Sequence, residues 1–269
     1  MTILVVTHDR EKEDILSLLS FLRIESDAVF ANQCGRDGSY SFGHEGHRVT
    51  VHESSERGVA KNRNFLLSKA PDGLCLCIDD DCPLNEGYAS VVEDFFAKRG
   101  CDVALFNGRV PYEGNRKVHE LPTARVRRFR DVSYAGGPGL AFVGAKLKAT
   151  GLHYDERVGY PNEVYAGEDS LFLRALTKTD LVFYRAEDLL FTVALDKQDN
   201  SSYFQGFDER FFFTRGALGK LLYPHSPVFY PLHQLLVLKK KSGLPLREIW
   251  PGFHRGRQRG KAMAKNAGK

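Results

Sequence analysis

Short apolar runs alternate with helical patterns along the first hundred residues of the chain. The β-branched run of residues 3–7 is typical of a strand covered on both faces, and the sequence predicts further strands over residues 27–31, 48–52, 74–78 and 101–106. Helices are predicted after the first, third and fourth of these strands, where apolar residues recur every three or four positions. This alternation indicates an α/β fold with a mainly parallel sheet that is flanked by helices.

Each of three predicted helices has an apolar side that we expect to face the sheet. The residues expected to face inward are Ile15, Leu18, Leu19 and Leu22 in the first helix, Val59, Leu66, Leu67 and Ala70 in the second, and Tyr88, Val91, Val92, Phe95 and Phe96 in the third. Ligands of open parallel sheets bind outside the carboxyl ends of the strands. Thr7, Asn32 and residues 79–81 would all lie at that edge.

Charge is divided unevenly between an acidic body and a basic end. The 269-residue chain has 38 Lys and Arg against 34 Asp and Glu, a net charge of +4. Residues 238–269, here called the basic tail, hold ten of the basic residues, ending at Lys269, and one acid, so the tail is +9. The remainder has 28 basic and 33 acidic residues, a net charge of −5. Such a tail indicates an anionic partner, either a membrane surface or a nucleic acid.

Cysteine usage and the hydropathy pattern favour a cytoplasmic protein. The five cysteines lack the spacing of a zinc site, and buried free thiols in a reducing compartment are the favoured interpretation. No signal peptide is expected at the start of the sequence. The longest late apolar stretch, residues 221–238, is interrupted by three prolines and two histidines, which makes a membrane span a poor interpretation.

Three adjacent carboxylates follow directly after the apolar run of residues 74–78. Asp79 and Asp81 project to the same side of an extended backbone while Asp80 points away. Such an arrangement costs stability unless a cation is nearby, and it suits Mg²⁺ or Mn²⁺ bridging to the phosphates of a ligand. A solvated acidic turn is the alternative interpretation.

Two other segments carry candidate chemistry. Glu168 and Asp169 begin an apolar-sided helix, where acids are favoured by the helix dipole and are also available as a general base. In the segment 55–64, Gly58 permits a tight turn into a helix, and Arg57, Lys61 and Arg63 bring positive charge to the expected phosphate edge; a solvated helix face is the alternative there.

Taken in order, these segments resemble family-two glycosyltransferases of the GT-A fold. The resemblance rests on residues 5–10, 57–64 and 78–83, and on residues 152–159 leading into 166–169. It covers about residues 2–176 and implies a Rossmann-like GT-A domain over 1–237. That domain would have a nucleotide-sugar half over 1–107 and a smaller acceptor half over 108–237, with the basic tail as a helical extension.

The resemblance also implies a role for each matching residue. Asp79 would contact the nucleotide ribose region, Asp81 would hold the metal on the diphosphate with Asp79, and Arg63 would lie near the base. Asp169 would be the catalytic base of an inverting reaction, with Glu168 near the acceptor. The remaining residues implied in donor binding are Thr7, His8, Asn32 and Asp80.

Two positions depart from the family pattern. The acidic cluster that usually follows the second strand is replaced by Asn32-Gln33-Cys34-Gly35, so Asn32 would contact the base differently. Residues 191–195 lack the histidine that helps some relatives bind metal. The metal shell would then consist of Asp81, the diphosphate and water.

The implied function is metal-assisted transfer of a sugar from a nucleotide sugar, with a UDP-sugar favoured, to a glycan or lipid-linked acceptor. A nucleotidyltransferase acting on a sugar phosphate is the alternative enzyme, although residues 7–10 lack the glycine-rich loop expected of one.

Besides a solvated or disordered tail without a partner, the basic tail leaves two binding roles open. A nucleic-acid-binding module is one of them, but the tail has few interleaved aromatic residues, and nucleic acid is the less favoured partner. Peripheral contact with the inner, anionic membrane face is favoured instead. Apolar residues among the positive charges would anchor it, namely Leu244, Leu246, Ile249, Trp250 and Phe253.

Overall fold

A computed structural model describes residues 1–109, 122–194, 206–226 and 228–266 of the chain. Leu195 and Lys269, which the sequence analysis used, lie outside these ranges. The strands are β1 (Thr2–His8), β2 (Asp27–Gln33), β3 (Gly38–His44), β4 (His47–Ser54), β5 (Leu74–Asp79), β6 (Val103–Arg109), β7 (Ala124–Arg125), β8 (Leu140–Val143) and β9 (Phe183–Thr192). The helices are α1 (Lys12–Leu22), α2 (Val59–Lys69), α3 (Tyr88–Arg99), α4 (Gly144–Ala149), α5 (Glu168–Leu176), α6 (Glu209–Leu222), α7 (Phe229–Ser242) and α8 (Leu246–Asn266), with a 3₁₀ turn over Phe129–Asp131.

The described strands form one sheet in the order β3-β4-β2-β1-β5-β8-β6-β9-β7. Neighbours within β4-β2-β1-β5 are all parallel, and β6 is parallel to β9. β8 runs antiparallel between β5 and β6, and β3 and β7 are antiparallel edge strands. The predicted α/β fold with a mainly parallel sheet is confirmed.

Alternation along β1 divides the core between the two faces of the sheet. Ile3 and Val5 are fully buried on the face covered by α1 and α3, and Leu4 is fully buried on the face covered by α2 and α5. A strand buried on both faces needs apolar side chains at every position, which explains the uninterrupted run at residues 3–6.

The inward face of α1 matches the prediction, and that of α3 does so except for the half-buried Val91, but the face of α2 differs. The buried residues of α2 are Ala60, Asn62, Arg63 and Leu66, and the predicted Val59 and Leu67 are only half-buried. The helix is rotated from the orientation that its apolar residues favour, because Asn62 and Arg63 find polar partners at the ends of the strands.

The chain divides into two compact units, which are described separately. The sheet unit comprises the described residues of 1–154 and 172–196, and the helical unit those of 155–171 and 197–269. α5 begins in the helical unit and continues in the sheet unit. The boundary expected after residue 107 falls inside β6, and the one expected after residue 237 falls inside α7.

The helical unit is organised by a glycine seam between α6 and α8. Gly252, Gly256 and Gly260 follow one another at intervals of four residues on α8, so they share one side of that helix. A Cβ on Gly256 would lie 1.9 Å from the Phe213 carbonyl oxygen, and a Cβ on Gly216 of α6 would lie 2.1 Å from the Phe253 carbonyl oxygen. The two backbones are therefore in direct contact.

The described part of the basic tail is mainly helical, as predicted, but two of its five expected anchors are buried. Ile249 and Phe253 are fully buried in a core with residues of α6 and α7, because they face the inner side of α8. Leu244 is half-buried against the same core, whereas Leu246 and Trp250 are exposed. Two of the tail's positive charges have partners within the unit, in the ion pairs Arg255–Glu209 and Arg259–Glu163. None of the helices within the described ranges combines the length and hydropathy that spanning a bilayer requires.

Replacing Gly256 with Ala is expected to lower the free energy of unfolding by about 1–3 kcal/mol, because the new methyl group overlaps the Phe213 backbone. Gly43→Ala is the control, since a Cβ there meets no atom within 4 Å. Urea denaturation of both variants gives the comparison. Equal stability of the two variants would contradict direct backbone contact in the seam.

Candidate functional site

Polar side chains collect at the carboxyl edge of the parallel strands in the sheet unit. β1 lies between β2 and β5, with Thr7 opposite Asn32 and Val6 opposite Asp79. Three of the predicted site residues therefore come from neighbouring strand ends. The topology brings them together, as expected for an open parallel sheet.

Asn62 attaches α2 to this edge. Its amide nitrogen donates hydrogen bonds to the carbonyl oxygens of Thr7, at 3.0 Å, and Ala31, at 3.2 Å. Both carbonyls lie near strand ends, and the Asn62 side chain is buried, so this amide replaces water as their donor. Asn62 lies within the segment 57–64, but its residue type and position carry no signal of this role in the sequence.

The turn into α2 is held by Gln33 and Gly58. The Gln33 side chain exchanges two hydrogen bonds of 3.2 Å with the Gly58 backbone. Gly58 has φ of +132°, a conformation that side chains with a Cβ rarely adopt. The turn predicted from this glycine is present, and the buried Gln33 side chain is occupied by it.

Arg63 and Asp79 form an ion pair at the floor of this edge. One guanidinium nitrogen of Arg63 lies 3.3 and 3.4 Å from the two carboxylate oxygens of Asp79, and the Arg63 side chain is about one-tenth exposed. The guanidinium also lies 5.7 Å from the centre of the Tyr154 ring, within the range of a cation–π contact. These contacts hold both side chains in one orientation.

Tyr154 is held in place by residues of α2 and α5. Asn64 exchanges two hydrogen bonds with the Tyr154 backbone, of 2.6 and 3.0 Å, and the Tyr154 ring stacks on Phe172 at 4.1 Å. Tyr154 lies in the segment 152–159 that carried the family resemblance, but its partnership with Arg63 has no signal in the sequence.

Asp80 is held from two sides. The Thr7 hydroxyl donates to its carboxylate at 2.6 Å, and the Arg10 guanidinium lies 3.5 Å from the same oxygen. Asn32 in turn donates to the Arg10 carbonyl oxygen at 2.8 Å and accepts from the Arg10 backbone N–H at 3.3 Å. Asn32 is fully buried, so its amide orients the loop of residues 8–10.

The outer part of this loop is exposed and charged. His8 and Asp9 are mostly exposed, and Asp9 adopts φ of +52°. Arg57 donates from two guanidinium nitrogens to Asp9, at 2.9 Å in one of the two bonds. The hydrogen bond from Arg57 lowers the pKa of the Asp9 carboxyl from its usual value. The predicted positive charge of Arg57 is thus balanced within the loop.

Asp81 is the exposed member of the triple aspartate. Its carboxylate accepts a hydrogen bond from the Cys82 thiol at 3.1 Å, and it forms no ion pair within the described ranges. Burial and the neighbouring Asp81 and Asp79 raise the pKa of the Cys82 thiol, which therefore stays protonated.

The donor set for a metal at this edge is limited. Among the described residues, no cluster of three or more His, Cys, Asp or Glu side chains could hold a metal ion. An exposed carboxylate such as Asp81 fits a hard cation that takes its other ligands from substrate phosphates and water. Asp79 fits less directly, because its carboxylate is already paired with Arg63.

Glu168 and Asp169 form the first turn of α5 and belong to the helical unit. Glu168 is buried and Asp169 is half-buried. The preceding Gly167 has φ of +103°, and a Cβ there would lie 2.4 Å from the Leu218 side chain. The position of these acids therefore depends on a glycine that packs against α6.

Comparison with solved structures identifies the fold. The chain matches crystal structures of S. aureus TarS 1–349, of its complex with UDP-GlcNAc and of its complex with UDP, each with a TM-score of 0.56. Sequence identities are 16%, 18% and 17%, and the matches cover 89% of this chain and 70%, 70% and 69% of TarS 1–349. The chain has a GT-A glycosyltransferase fold. No family model and no curated protein sequence matches it.

Most of the residues predicted to contact the donor lie at one edge of the sheet unit. Residues 7, 32, 63 and 79–81, expected from the resemblance to contact the donor, lie on α2 and at the carboxyl ends of β1, β2 and β5. The contacts that orient them, through Asn62, Asn64, Arg10 and Tyr154, were absent from the sequence prediction. The partner of a buried polar residue depends on the tertiary structure, which cannot be derived from the pattern of a single sequence.

Asn62→Ala is expected to lower the free energy of unfolding by about 1–3 kcal/mol, because two buried carbonyl oxygens lose their donor. Ser68→Ala, on the exposed side of the same helix, is the control and is expected to stay within about 0.5 kcal/mol of the parent. Chemical denaturation measures both values. A neutral Asn62→Ala variant would show that water replaces the amide at the strand ends.

Proposed function

We propose that the chain is a glycosyltransferase that moves a sugar from a nucleotide-sugar donor to a hydroxyl group of a glycan or lipid-linked acceptor. The observation that carries this proposal is the cluster of Arg63 and residues 79–81 at the carboxyl edge of a GT-A sheet. TarS, which shares the fold, forms complexes with UDP-GlcNAc and with UDP, and this supports a UDP-linked donor.

In this proposal the rigid part of the edge binds the nucleoside. Asp79, oriented by Arg63, accepts hydrogen bonds from the ribose hydroxyls, and Arg63 and Thr7 lie against the nucleoside. Asp80, held by Thr7 and Arg10, keeps the strand end and the loop of residues 8–10 together. His8, an exposed side chain of that loop, contacts the donor.

Asn32 acts indirectly in this proposal. The side-chain amide of Asn32 is already hydrogen-bonded to the Arg10 backbone. Asn32 is therefore a positioning residue in this proposal, in place of the base contact that was expected of it from the sequence. The Asn32–Arg10 pair would then set the distance between the base and the sheet edge.

Asp81 is the residue that would hold Mg²⁺ or Mn²⁺, with Asp79 nearby and the diphosphate completing the ligand set. When bound, such an ion supplies positive charge that offsets the charge developing on the leaving nucleoside diphosphate. The exposure of Asp81 supports this role, because the carboxylate is open to a ligand from solvent.

Asp169 is the general base of the proposed reaction. Its carboxylate accepts the proton from the acceptor hydroxyl as that oxygen attacks the anomeric carbon and the bond to the diphosphate breaks. One displacement of this kind inverts the anomeric configuration. Glu168, buried beside it in the first turn of α5, lies toward the acceptor in this scheme.

Donor binding is tested by thermal shift with UDP and UDP-GlcNAc, each with Mn²⁺ and with EDTA. A ligand present at 100 times its dissociation constant adds about 2.7 kcal/mol to the free energy of unfolding, which gives a measurable rise in Tm. We expect the rise to need Mn²⁺ and to be lost in Asp81→Asn. The control is Asp94→Asn, an exposed acid on α3 that pairs only with Lys98 among the described residues. No shift with UDP or UDP-GlcNAc in the presence of Mn²⁺ would contradict the proposed UDP-linked donor.

Asp169→Asn is expected to lower kcat by about 10²- to 10⁴-fold, because the amide cannot accept the acceptor proton. Donor affinity, measured by calorimetry, should stay within a few fold of the parent. Weakened donor binding with unchanged kcat would instead assign Asp169 a structural role.

A further inference from the structure

α7 has two apolar sides, and only one of them is covered. Pro231, Leu235 and Leu238 are buried within the helical unit. Phe229, Leu232 and Leu236 are 85%, 54% and 55% exposed, far more than apolar side chains of this size usually are. Their spacing of three and four residues places them along one line of the helix, which we call the α7 stripe.

Positive charge continues the α7 stripe. Lys239 and Lys240 follow Leu236 by three and four residues, so they lie at the C-terminal end of the same side of the helix. Both are exposed, and neither forms an ion pair within the described part of the chain. The sequence has no Asp or Glu from residue 210 to residue 247, so no acidic side chain of this segment offsets them.

We propose that the α7 stripe docks the protein on an anionic lipid surface. One side of α7 packs within the helical unit, and the other presents apolar side chains in line with lysines. Such a side is suited to the interface between lipid headgroups and acyl chains. An anionic leaflet complements both features, because it accepts the apolar side chains and attracts the lysines. The exposed tip of the stripe, Phe229, is an aromatic residue.

This surface differs from the one expected from the sequence. Ile249 and Phe253 of the basic tail are buried, and Arg255 and Arg259 are paired with acids of the helical unit. Leu246 and Trp250 of the basic tail stay exposed, but the apolar residues of the α7 stripe lie before the tail, and Lys239 and Lys240 are the first basic residues of the tail. The inference stands independently of the proposed sugar transfer.

The test is co-sedimentation of the full chain with vesicles of phosphatidylcholine alone and of phosphatidylcholine mixed with phosphatidylglycerol. We expect pelleting with the anionic vesicles, weakened by high salt because the lysine attraction is screened. The triple variant F229Q/L232Q/L236Q should partition at least about tenfold more weakly. Glutamine is a good helix former, so the substitutions should preserve α7. The control for folding is a circular dichroism spectrum and a Tm that match those of the parent.

Two further variants separate the parts of the α7 stripe. K239Q/K240Q should weaken partitioning into anionic vesicles by about 25-fold, since each Lys near such a surface contributes about fivefold, equivalent to ~1 kcal/mol. L16Q/F21Q removes an exposed apolar pair on α1 of the sheet unit and should pellet like the parent.

Three outcomes would overturn the proposal. The first is unchanged pelleting of the triple variant, and the second is equal binding to neutral and anionic vesicles. The third is a concentration-dependent dimer, detected by light scattering and abolished by the triple variant, in a parent that does not pellet. That result would assign the α7 stripe to a second copy of this chain.

Discussion

The attachment of α2 to the ends of β1 and β2 by one buried amide is the constraint on which the donor edge depends. Parallel strands end with carbonyl groups that no neighbouring strand can satisfy, and Asn62 supplies the donors for Thr7 and Ala31. Once Asn62 is seated, the next residue, Arg63, is carried to Asp79 and Asn64 to the Tyr154 backbone. Three consecutive polar residues thereby connect the helix to the ends of β1, β2 and β5 and to the Tyr154 backbone.

The same constraint explains why a helix with a weak apolar side is stable against the sheet. Val59 and Leu67 are only half-buried, whereas Asn62 and Arg63 are buried. Buried polar groups are tolerated only when they are hydrogen-bonded or paired, and here the strand ends and Asp79 provide the partners. The geometry of the site is therefore part of the packing of the fold.

The local pattern of apolar residues predicts the strands and helices whose buried positions follow a regular period. It does not predict burial that depends on contacts with residues far away in the sequence. β1, β5, α1 and α3 were predicted because their apolar residues follow a strand or helix period. β3 was missed because only Tyr40 and Phe42 interrupt its glycine and serine residues, and an edge strand needs little burial. The aspartates and Arg63 were found by residue type and order. The inward turn of Asn62 depends on the strand ends that its side chain meets, and the burial of Ile249 and Phe253 depends on the helices that pack against α8, so neither was predicted.

The glycine seam between α6 and α8 limits how the helical unit can change. Gly216, Gly252, Gly256 and Gly260 already have the smallest side chain available, and every substitution there adds volume where none is free. No mutation at these positions can tighten the contact further. Sequence variation that strengthens the packing of α6 on α8 must therefore come from positions outside the glycine seam, and the distance between the two backbones can stay constant while those positions diverge.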